Sequence, residues 1–278
     1  MIKFASAITS LNLACTPALA AAFRDSKLKN LEINTTRVNE PDNYDGSGVN
    51  RAKWLALVKS GVVNCPSLHL PFGDGWDLSV ANEAARLATV KRFSGHIEEN
   101  LDFGAWHLTL HAGCEPIKTE DHAMRLEQAR KSVAELVPVL RKHQLKMSIE
   151  YLPRTCIGNS VADLRYLTDG IDPEYVDILL DVNHVMDQAK NLPQIVSQLS
   201  DRLGACHFSD YDNVDECHWI PGRGVIDWRQ LMAALKQTKR DLLIIFETRI
   251  PASEGDGVTA LGLLNQCMTD LSRMYADA

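Results

Sequence analysis

The sequence lacks the signals of several protein classes. Its 278 residues contain no apolar run near the roughly 18 residues that a membrane-spanning helix needs. Neither G-x-G-x-x-G nor G-x-x-x-x-G-K occurs, so the glycine-rich motifs that bind nucleotide phosphates are missing. The formal net charge is -7, the pI is near 5.7, and basic residues form no stripe. We therefore expect neither nucleic acid nor a membrane as a partner.

The sequence also lacks a Cys-x-x-Cys pair. Its seven cysteines are odd in number and lie far apart, at positions 15, 65, 114, 156, 206, 217 and 267. This pattern favours reduced thiols in a cytoplasmic protein over a disulfide framework or a structural zinc site. No cationic neighbours activate Cys206 or Cys217, so we expect both to be chemically inert.

Length and composition indicate an ordinary globular protein with a large core. Hydrophobic residues make up 45% of the chain and charged residues 23%. The length suits one (β/α)8 barrel of roughly 250 residues, or else two smaller domains. No linker or low-complexity segment divides the chain, so we predict one domain over residues 1–278. The sequence leaves the oligomeric state open, including a homo-oligomer.

The first 25 residues allow two interpretations. The apolar residues around Leu11 and Ala18 have some features of a secretory or lipoprotein signal. However, Thr9, Ser10 and Asn12 interrupt the apolar stretch, and only Lys3 supplies a basic start. We therefore predict a first strand and a first helix here, both of which a barrel requires.

Apolar runs alternate with amphipathic segments along the chain. Short Val, Ile and Leu runs without polar alternation are typical of strands buried on both faces in a parallel sheet. The alternation predicts a closed parallel α/β barrel, the (β/α)8 or TIM barrel. The predicted strands are 3–8, 31–34, 62–70, 105–111, 145–150, 176–181, 203–207 and 242–247, and residues 37–50 form a turn-rich loop. The predicted helices are 16–25, 51–58, 80–98, 120–143, 163–167, 192–199, 228–236 and 257–274.

Four of these strands end on an acidic or imidazole side chain. The residues are Glu150, Asp181, His207 and Glu247, spaced 31, 26 and 40 residues apart, against about 31 per unit in a barrel of roughly 250 residues. The active site of such a barrel lies at the carboxyl ends of the strands. Three buried carboxylates and an imidazole are costly unless a cation sits among them. A bound divalent metal is therefore expected.

The residue types favour a hard or borderline ion. Three carboxylates and one imidazole suit Mn²⁺ best, with Mg²⁺, Co²⁺ or Zn²⁺ as alternatives. A metal that binds a carbonyl and the adjacent hydroxyl acidifies the C–H between them by stabilising an enediolate. Glu150 and Glu247 are candidates for the bases that remove and return this proton. Any one such carboxylate, taken alone, is equally explained as a helix cap or an ion-pair partner.

Seven short motifs follow one another along the chain: Ser67-Leu-His-Leu-Pro, Leu110-His-Ala-Gly, Ile149-Glu, Leu180-Asp-Val-Asn-His, Cys206-His-Phe-Ser-Asp, His218-Trp-Ile-Pro-Gly-Arg-Gly-Val-Ile-Asp-Trp and Phe246-Glu-Thr. In this order they resemble the xylose isomerase-like TIM barrel superfamily, in particular its sugar phosphate isomerase/epimerase and ketose 3-epimerase members. The resemblance spans essentially the whole chain. It implies a carbohydrate isomerase or epimerase in which the four strand-end residues hold the metal and the two glutamates also act as acid and base.

The resemblance further implies roles for residues around the four. The histidine matching His184 helps to bind substrate. Ketose 3-epimerases also use an arginine soon after the metal histidine, but here position 213 is asparagine, and Arg223 lies in a Pro-Gly-Arg-Gly turn instead. We expect the remaining substrate contacts to come from His69, His111, His218, Arg223 and Trp219. Trp76 and Phe72 are further candidates to pack on a sugar, whereas Trp106 is predicted to pack in the core.

Three alternatives to an isomerase or epimerase remain. A lyase or dehydratase on an oxidised sugar or polyol uses the same first proton transfer. The resemblance also includes endonuclease IV-like phosphodiesterases, which bind three zinc ions, and His69, His111, His184, Glu216 and His218 match their additional ligands. The acidic charge balance argues against a DNA substrate. The third alternative is a sugar-binding barrel without catalytic activity.

Overall fold

Strands and helices alternate around a closed parallel sheet. The computed structural model describes residues 1–39 and 50–278. Each strand runs parallel to its neighbours, and β8 pairs with β1, which closes the barrel in the order β1 to β8. The strands are β1 Ile2–Ala7, β2 Asn30–Asn34, β3 Asn64–His69, β4 His107–Leu110, β5 Lys146–Glu150, β6 Val176–Asp181, β7 Leu203–Phe208 and β8 Leu242–Phe246.

Helices cover the outside of this barrel. They are α1 Pro17–Asp25, α2 Thr35–Asn39, α3 Asn50–Lys59, α4 Glu83–Glu99, α5 His122–His143, α6 Val161–Thr168, α7 Leu192–Leu199, α8 Trp228–Gln237 and α9 Gly257–Asp277. Polar side chains fix several starts: Asn82, Ser160 and Asp256 each accept a hydrogen bond from a backbone N–H in the first turn. None of the helices in the described residues is long and apolar enough to cross a membrane.

The predicted (β/α)8 barrel is confirmed, and most elements agree with the predicted bounds to within a few residues. The N-terminal residues form β1, which pairs with β2 and β8. The short helix α2 was not predicted, and residues 40–49 of the predicted loop 37–50 lie outside the described residues. Trp106 was wrongly predicted to be buried: it precedes β4 and is 46% exposed, because the strand begins only at His107.

Two apolar clusters fill the molecule. The larger lies between the strands and the helices and includes Phe23, Trp54 and Phe208. The smaller consists of inward-facing residues of β1, β6, β7 and β8: Ala5, Ala7, Leu179, Ala205, Leu243 and Ile245. On β2 to β5, buried side chains that contact one another between neighbouring strands are polar instead, among them Glu32, Ser67 and His107. A TIM barrel interior is usually apolar throughout, so this half-polar interior needs a specific explanation.

Candidate metal centre

The four strand-end residues lie together at the carboxyl end of the barrel. Glu150 and Asp181 are the last residues of β5 and β6, His207 is the penultimate residue of β7, and Glu247 directly follows β8. Each offers one ligand atom, and these atoms all lie within 4.8 Å of one another. The parallel register brings them to one level, with Asp181 paired to His207 across β6 and β7.

Carboxylate oxygens surround one nitrogen of His207. Its Nδ1 lies 2.9 Å from Oε2 of Glu247, 3.1 Å from Oε1 of Glu150 and 3.7 Å from Oδ2 of Asp181. His207, Glu150 and Asp181 are fully buried, whereas the Glu247 side chain is 21% exposed. Glu247 is therefore the member that solvent reaches.

The attraction between these groups changes their pKa values more than burial does. Burial alone would lower the pKa of His207, but Glu247, Glu150 and Glu32 raise that pKa well above its usual value. Burial would raise the pKa of Glu247, but the field of His207 lowers it to about 2. The pKa of Glu150 is lowered well below its usual value against the same opposing effect of burial, chiefly by His207 and His111. Positive charge is thus strongly favoured at this point.

Two carboxylate oxygens have unused bonding capacity. Oδ1 of Asp181 accepts hydrogen bonds from the backbone N–H groups of Asn183 (2.7 Å) and His184 (3.1 Å). Its Oδ2, and Oε2 of Glu150, are buried without a hydrogen-bond partner among the described residues. His111 Nε2 lies 2.9 Å from that Glu150 oxygen, but outside hydrogen-bonding geometry. Buried oxygens of this kind, three carboxylates and an imidazole fit a divalent cation.

The predicted substrate-binding histidines form a layer beside the four residues. His111 stacks on Phe72, with ring centroids 4.4 Å apart, and His69 Nε2 is 3.5 Å from Glu150 Oε2. Nδ1 of His184 lies 3.0 Å from the Tyr151 carbonyl and 3.4 Å from Oε1 of Glu150. The carboxylates offset burial and raise the pKa of His69 to about 9 and that of His184 to about 10.

The extra loop after β7 brings His218 to the same site. Nδ1 of His218 lies 3.1 Å from both the Ser209 hydroxyl and the Glu247 carbonyl, and its ring meets that of His184 edge-on. Asp210 organises this loop: its buried carboxylate accepts hydrogen bonds from the backbone N–H groups of residues 211, 222 and 226 and from Nε1 of Trp228. A Cβ at Gly224 would lie 2.5 Å from an Asp210 oxygen, so the second glycine of Pro-Gly-Arg-Gly is required for this packing.

The remaining predicted site residues lie further out. Trp219 is 41% exposed and is joined to Asp210 by backbone hydrogen bonds. Arg223 forms an ion pair with Glu254 at 2.5 Å, and no hydrogen bond or ion pair joins it to the four strand-end residues in the described structure. Cys206 is buried, which raises its pKa and agrees with an unreactive thiol.

Sequence reasoning missed two buried carboxylates that contact His207 or shape the loop after β7. Asp210 lies inside one of the recognised motifs but was assigned no role. Glu32 lies in β2, is 1% exposed, and has its Oε2 3.1 Å from Nε2 of His207. The only sequence signal for Glu32 was a single acidic residue between Leu31 and Ile33 in a predicted buried strand.

Solved structures with this fold include several sugar epimerases. The chain resembles a D-tagatose 3-epimerase-like protein (21% identity, TM-score 0.76, covering 98% of both chains). It also resembles the D-psicose 3-epimerase of Clostridium cellulolyticum H10 (13% identity, TM-score 0.76, covering 98% of this chain and 99% of the other). A third similar structure is the 3-keto-D-glucoside 4-epimerase of E. coli (20% identity, TM-score 0.73, covering 97% and 100%). At these identities, the likeness establishes the fold.

Sequence comparison gives the family. No curated protein sequence matches this chain. The profile of the xylose isomerase-like TIM barrel family, in contrast, matches residues 27–266, which contain all four strand-end residues and every flanking histidine described above. The chain therefore belongs to the xylose isomerase-like TIM barrel family.

Proposed function

We propose that this protein is a divalent-metal-dependent isomerase or epimerase of a sugar or keto-sugar. The observation that carries the proposal is the convergence of Glu150, Asp181, His207 and Glu247, whose ligand atoms lie within 4.8 Å of one another at the end of the barrel where such enzymes have their active sites. The sugar epimerases among the similar structures support the same reaction class.

The four residues would divide the work of the site. Asp181 and His207 are fully buried and would hold the metal, preferably Mn²⁺ because the ligand set is rich in oxygen. When bound, a divalent ion supplies Lewis acidity that polarises a substrate carbonyl and acidifies the adjacent C–H. Glu247 is open to solvent at one side, and Glu150 lies beneath His69, His111 and His184. These two glutamates would remove the proton and return it.

A cavity of about 230 Å³ adjoins the site, and its lining includes Phe72, His111, Arg154, His184 and Glu216. Phe72 is 48% exposed and offers an apolar face beside the imidazoles. Such a mixture of one aromatic face with convergent polar groups suits a polyhydroxylated substrate. His111 and His184 line this cavity and are therefore candidate substrate contacts. His69, His218 and Trp219 remain candidates from the sequence, and Arg223 would first have to leave Glu254.

The cysteines support a cytoplasmic location as part of this proposal. All seven are free thiols, and Cys15, Cys65, Cys156 and Cys206 are buried. Reduced thiols in this number are typical of a reducing compartment.

Deuterium exchange tests the proposed reaction. The protein, loaded with Mn²⁺, is incubated in D₂O with a panel of aldoses, ketoses and keto-sugars. We expect deuterium next to the carbonyl of a substrate, together with an isomer or epimer of it, and a released fragment would identify a lyase instead. A sugar that binds the metal-loaded protein but gains no deuterium contradicts the proposal and supports a non-catalytic sugar-binding barrel.

One observation favours a second candidate, a multi-metal phosphodiesterase. His69, His111 and Glu150 also bring ligand atoms within 4.8 Å of one another, as do Asp181, His184 and His218. Glu216 fits a third metal poorly, because Arg154 (2.9 Å) and Arg249 (3.4 Å) bind its two oxygens. Two or three ions per chain, with cleavage of phosphodiesters in place of sugar exchange, would support this candidate.

A further inference from the structure

Glu32 is a buried acid that the proposed reaction does not use. Its side chain lies inside the barrel, in β2, on the far side of His207 from the three carboxylates of the candidate metal centre. Oε2 of Glu32 is 3.1 Å from Nε2 of His207, whereas Glu150, Asp181 and Glu247 all face Nδ1. The two ring nitrogens therefore face different groups.

Two hydroxyl groups hold the Glu32 carboxylate in place. Ser67 of β3 and Thr109 of β4 both donate hydrogen bonds of 2.7 Å to Oε1. Both hydroxyls are fully buried, so water does not compete for these bonds. Because Oε1 already accepts two hydrogen bonds, Oε2 is the oxygen that remains for His207. Three adjacent strands thus fix the direction from which the carboxylate meets the imidazole.

This contact determines which nitrogen of His207 can bind a metal. An ionised carboxylate only accepts hydrogen bonds, so the nitrogen that faces Glu32 must be the donor, Nε2–H. In neutral imidazole, the lone pair then lies on Nδ1, the nitrogen that faces Glu150, Asp181 and Glu247. Among the described residues, Glu32 is the one hydrogen-bond partner of Nε2.

We propose that Glu32 is a positioning residue, which holds His207 as the tautomer whose Nδ1 is free to bind the metal. The proposal rests on the proposed metal site and adds a residue that touches neither the metal nor the substrate. Metal-bound histidines commonly donate their other N–H to a carboxylate, and loss of such a partner typically lowers metal affinity by about 10–100-fold. Ser67 and Thr109 contribute indirectly, because their hydrogen bonds hold the Glu32 carboxylate that contacts His207.

Calorimetric titration with Mn²⁺ tests the proposal on the metal-free full-length protein. We expect Glu32→Gln to weaken Mn²⁺ binding by about 10–100-fold, because an amide accepts more weakly and can present an N–H group to Nε2. Thr109→Val and Ser67→Ala keep the charge and should weaken binding by smaller factors. Ser6→Ala is the matched control and should not change affinity, because the one hydrogen bond of the buried Ser6 hydroxyl to the described residues goes to the Ala7 carbonyl.

Nitrogen-15 NMR of the Zn²⁺-loaded protein shows which ring nitrogen of His207 carries the proton. A purely structural role of Glu32 would not determine this position. With His207→Gln used for assignment, we expect the wild-type ring to carry its proton on Nε2. A proton on Nδ1 overturns the proposal. Because this measurement uses the wild-type protein, it does not depend on the folding of a variant at position 32. Unchanged Mn²⁺ affinity in Glu32→Gln overturns the positioning role alone, whereas a wild-type protein that binds no metal overturns the metal site as well.

Discussion

The two ends of the barrel interior both contain buried polar clusters, but the two clusters differ in the source of their positive charge. At the amino end, Nδ1 of His107 lies 2.8 Å from the Ser67 hydroxyl and Nε2 lies 2.8 Å from the Ser148 hydroxyl. The Ser148 hydroxyl is also hydrogen-bonded to Asp177, whose pKa is raised by burial and whose other oxygen is 3.1 Å from Nζ of Lys146. The ammonium group of Lys146 thus supplies the positive charge beside the acid of this cluster.

At the carboxyl end, no ammonium group of the described residues has this role. Its lysine-free cluster places Glu150, Asp181 and Glu247 around the imidazole of His207, and two of the carboxylate oxygens lack hydrogen-bond partners in the described structure. Positive charge comes instead from imidazole groups, because the pKa values of His69, His184 and His207 are all raised. A histidine, unlike a lysine, readily loses its proton near neutral pH and can then bind a metal. Buried acids balanced by a lysine therefore do not indicate a metal site, whereas buried acids balanced by histidines do.

His107 at the amino end and His184 at the carboxyl end also have pKa shifts of opposite sign. At the amino end, burial lowers the pKa of His107 to about 4, so that this ring is neutral. At the carboxyl end, nearby carboxylates overcome burial and raise the pKa of His184 to about 10. The first cluster is therefore built around a neutral imidazole, and the second attracts positive charge.

The largest expected effect comes from removing a carboxylate at the carboxyl end. Glu150→Gln and Glu247→Gln should each lower the rate of proton exchange by about 10²–10⁴-fold, because each removes a general acid or base. The rate is measured as deuterium incorporation into the best sugar of the panel. Full turnover in both variants would rule out the proposed mechanism. Ser148→Ala, a change at the amino end, should retain most of the activity.

Adding a methyl group at the amino end should instead affect stability. A Cβ at Gly204 would lie 1.8 Å from Oδ2 of Asp177, so Gly204→Ala must displace this carboxylate. We expect the free energy of unfolding to fall by about 1–3 kcal/mol, the usual cost of overpacking a core. Urea denaturation measures this change. Gly262→Ala is the control, since its Cβ meets no atom within 4 Å in α9 and should leave stability unchanged or raise it.

A smaller effect concerns the pH dependence of stability. Since burial lowers the pKa of His107 from 6.5 to about 4, the unfolded chain binds one more proton than the folded chain between these values. This contribution to stability is present above pH 6.5 and is lost as the pH falls through 4, with a slope of about 1.4 kcal/mol per pH unit. Urea denaturation from pH 6.5 to 4.5 should show a shallower slope for His107→Gln. Equal slopes would contradict a neutral His107 in the folded protein.

The sequence predicted the barrel and the candidate metal centre because both depend on local patterns. Each of Glu150, Asp181 and Glu247 ends a short apolar run, and the carboxyl ends of parallel strands meet at one end of a barrel. Glu32 could not be found in this way. Its partners are Ser67, Thr109 and His207, which are 35, 77 and 175 residues away along the chain, and only the strand register brings them together.

Sequence reasoning was weakest where local patterns say little about the direction of a side chain. Trp106 was assigned to the core because it adjoins an apolar strand, but the strand begins one residue later. The structure pairs Arg223 with Glu254, and its role as a substrate contact stays a prediction. Asp210 determines the shape of the loop after β7 because it accepts hydrogen bonds from the backbone N–H groups of residues 211, 222 and 226. Every residue except proline has such an N–H group, so these bonds cannot be recognised from the sequence.

Titration of the metal-free protein with Mn²⁺ tests the central claim most directly. The claim is that the carboxyl-end cluster binds a divalent ion because histidines, which bind metals in their neutral form, are the groups that balance its carboxylates. Wild-type protein should bind one ion per chain at a saturable site, and Asp181→Asn should lose this binding while Asp177→Asn, at the amino end, retains it. Absence of saturable binding in the wild type, or equal binding in Asp181→Asn, would contradict the account.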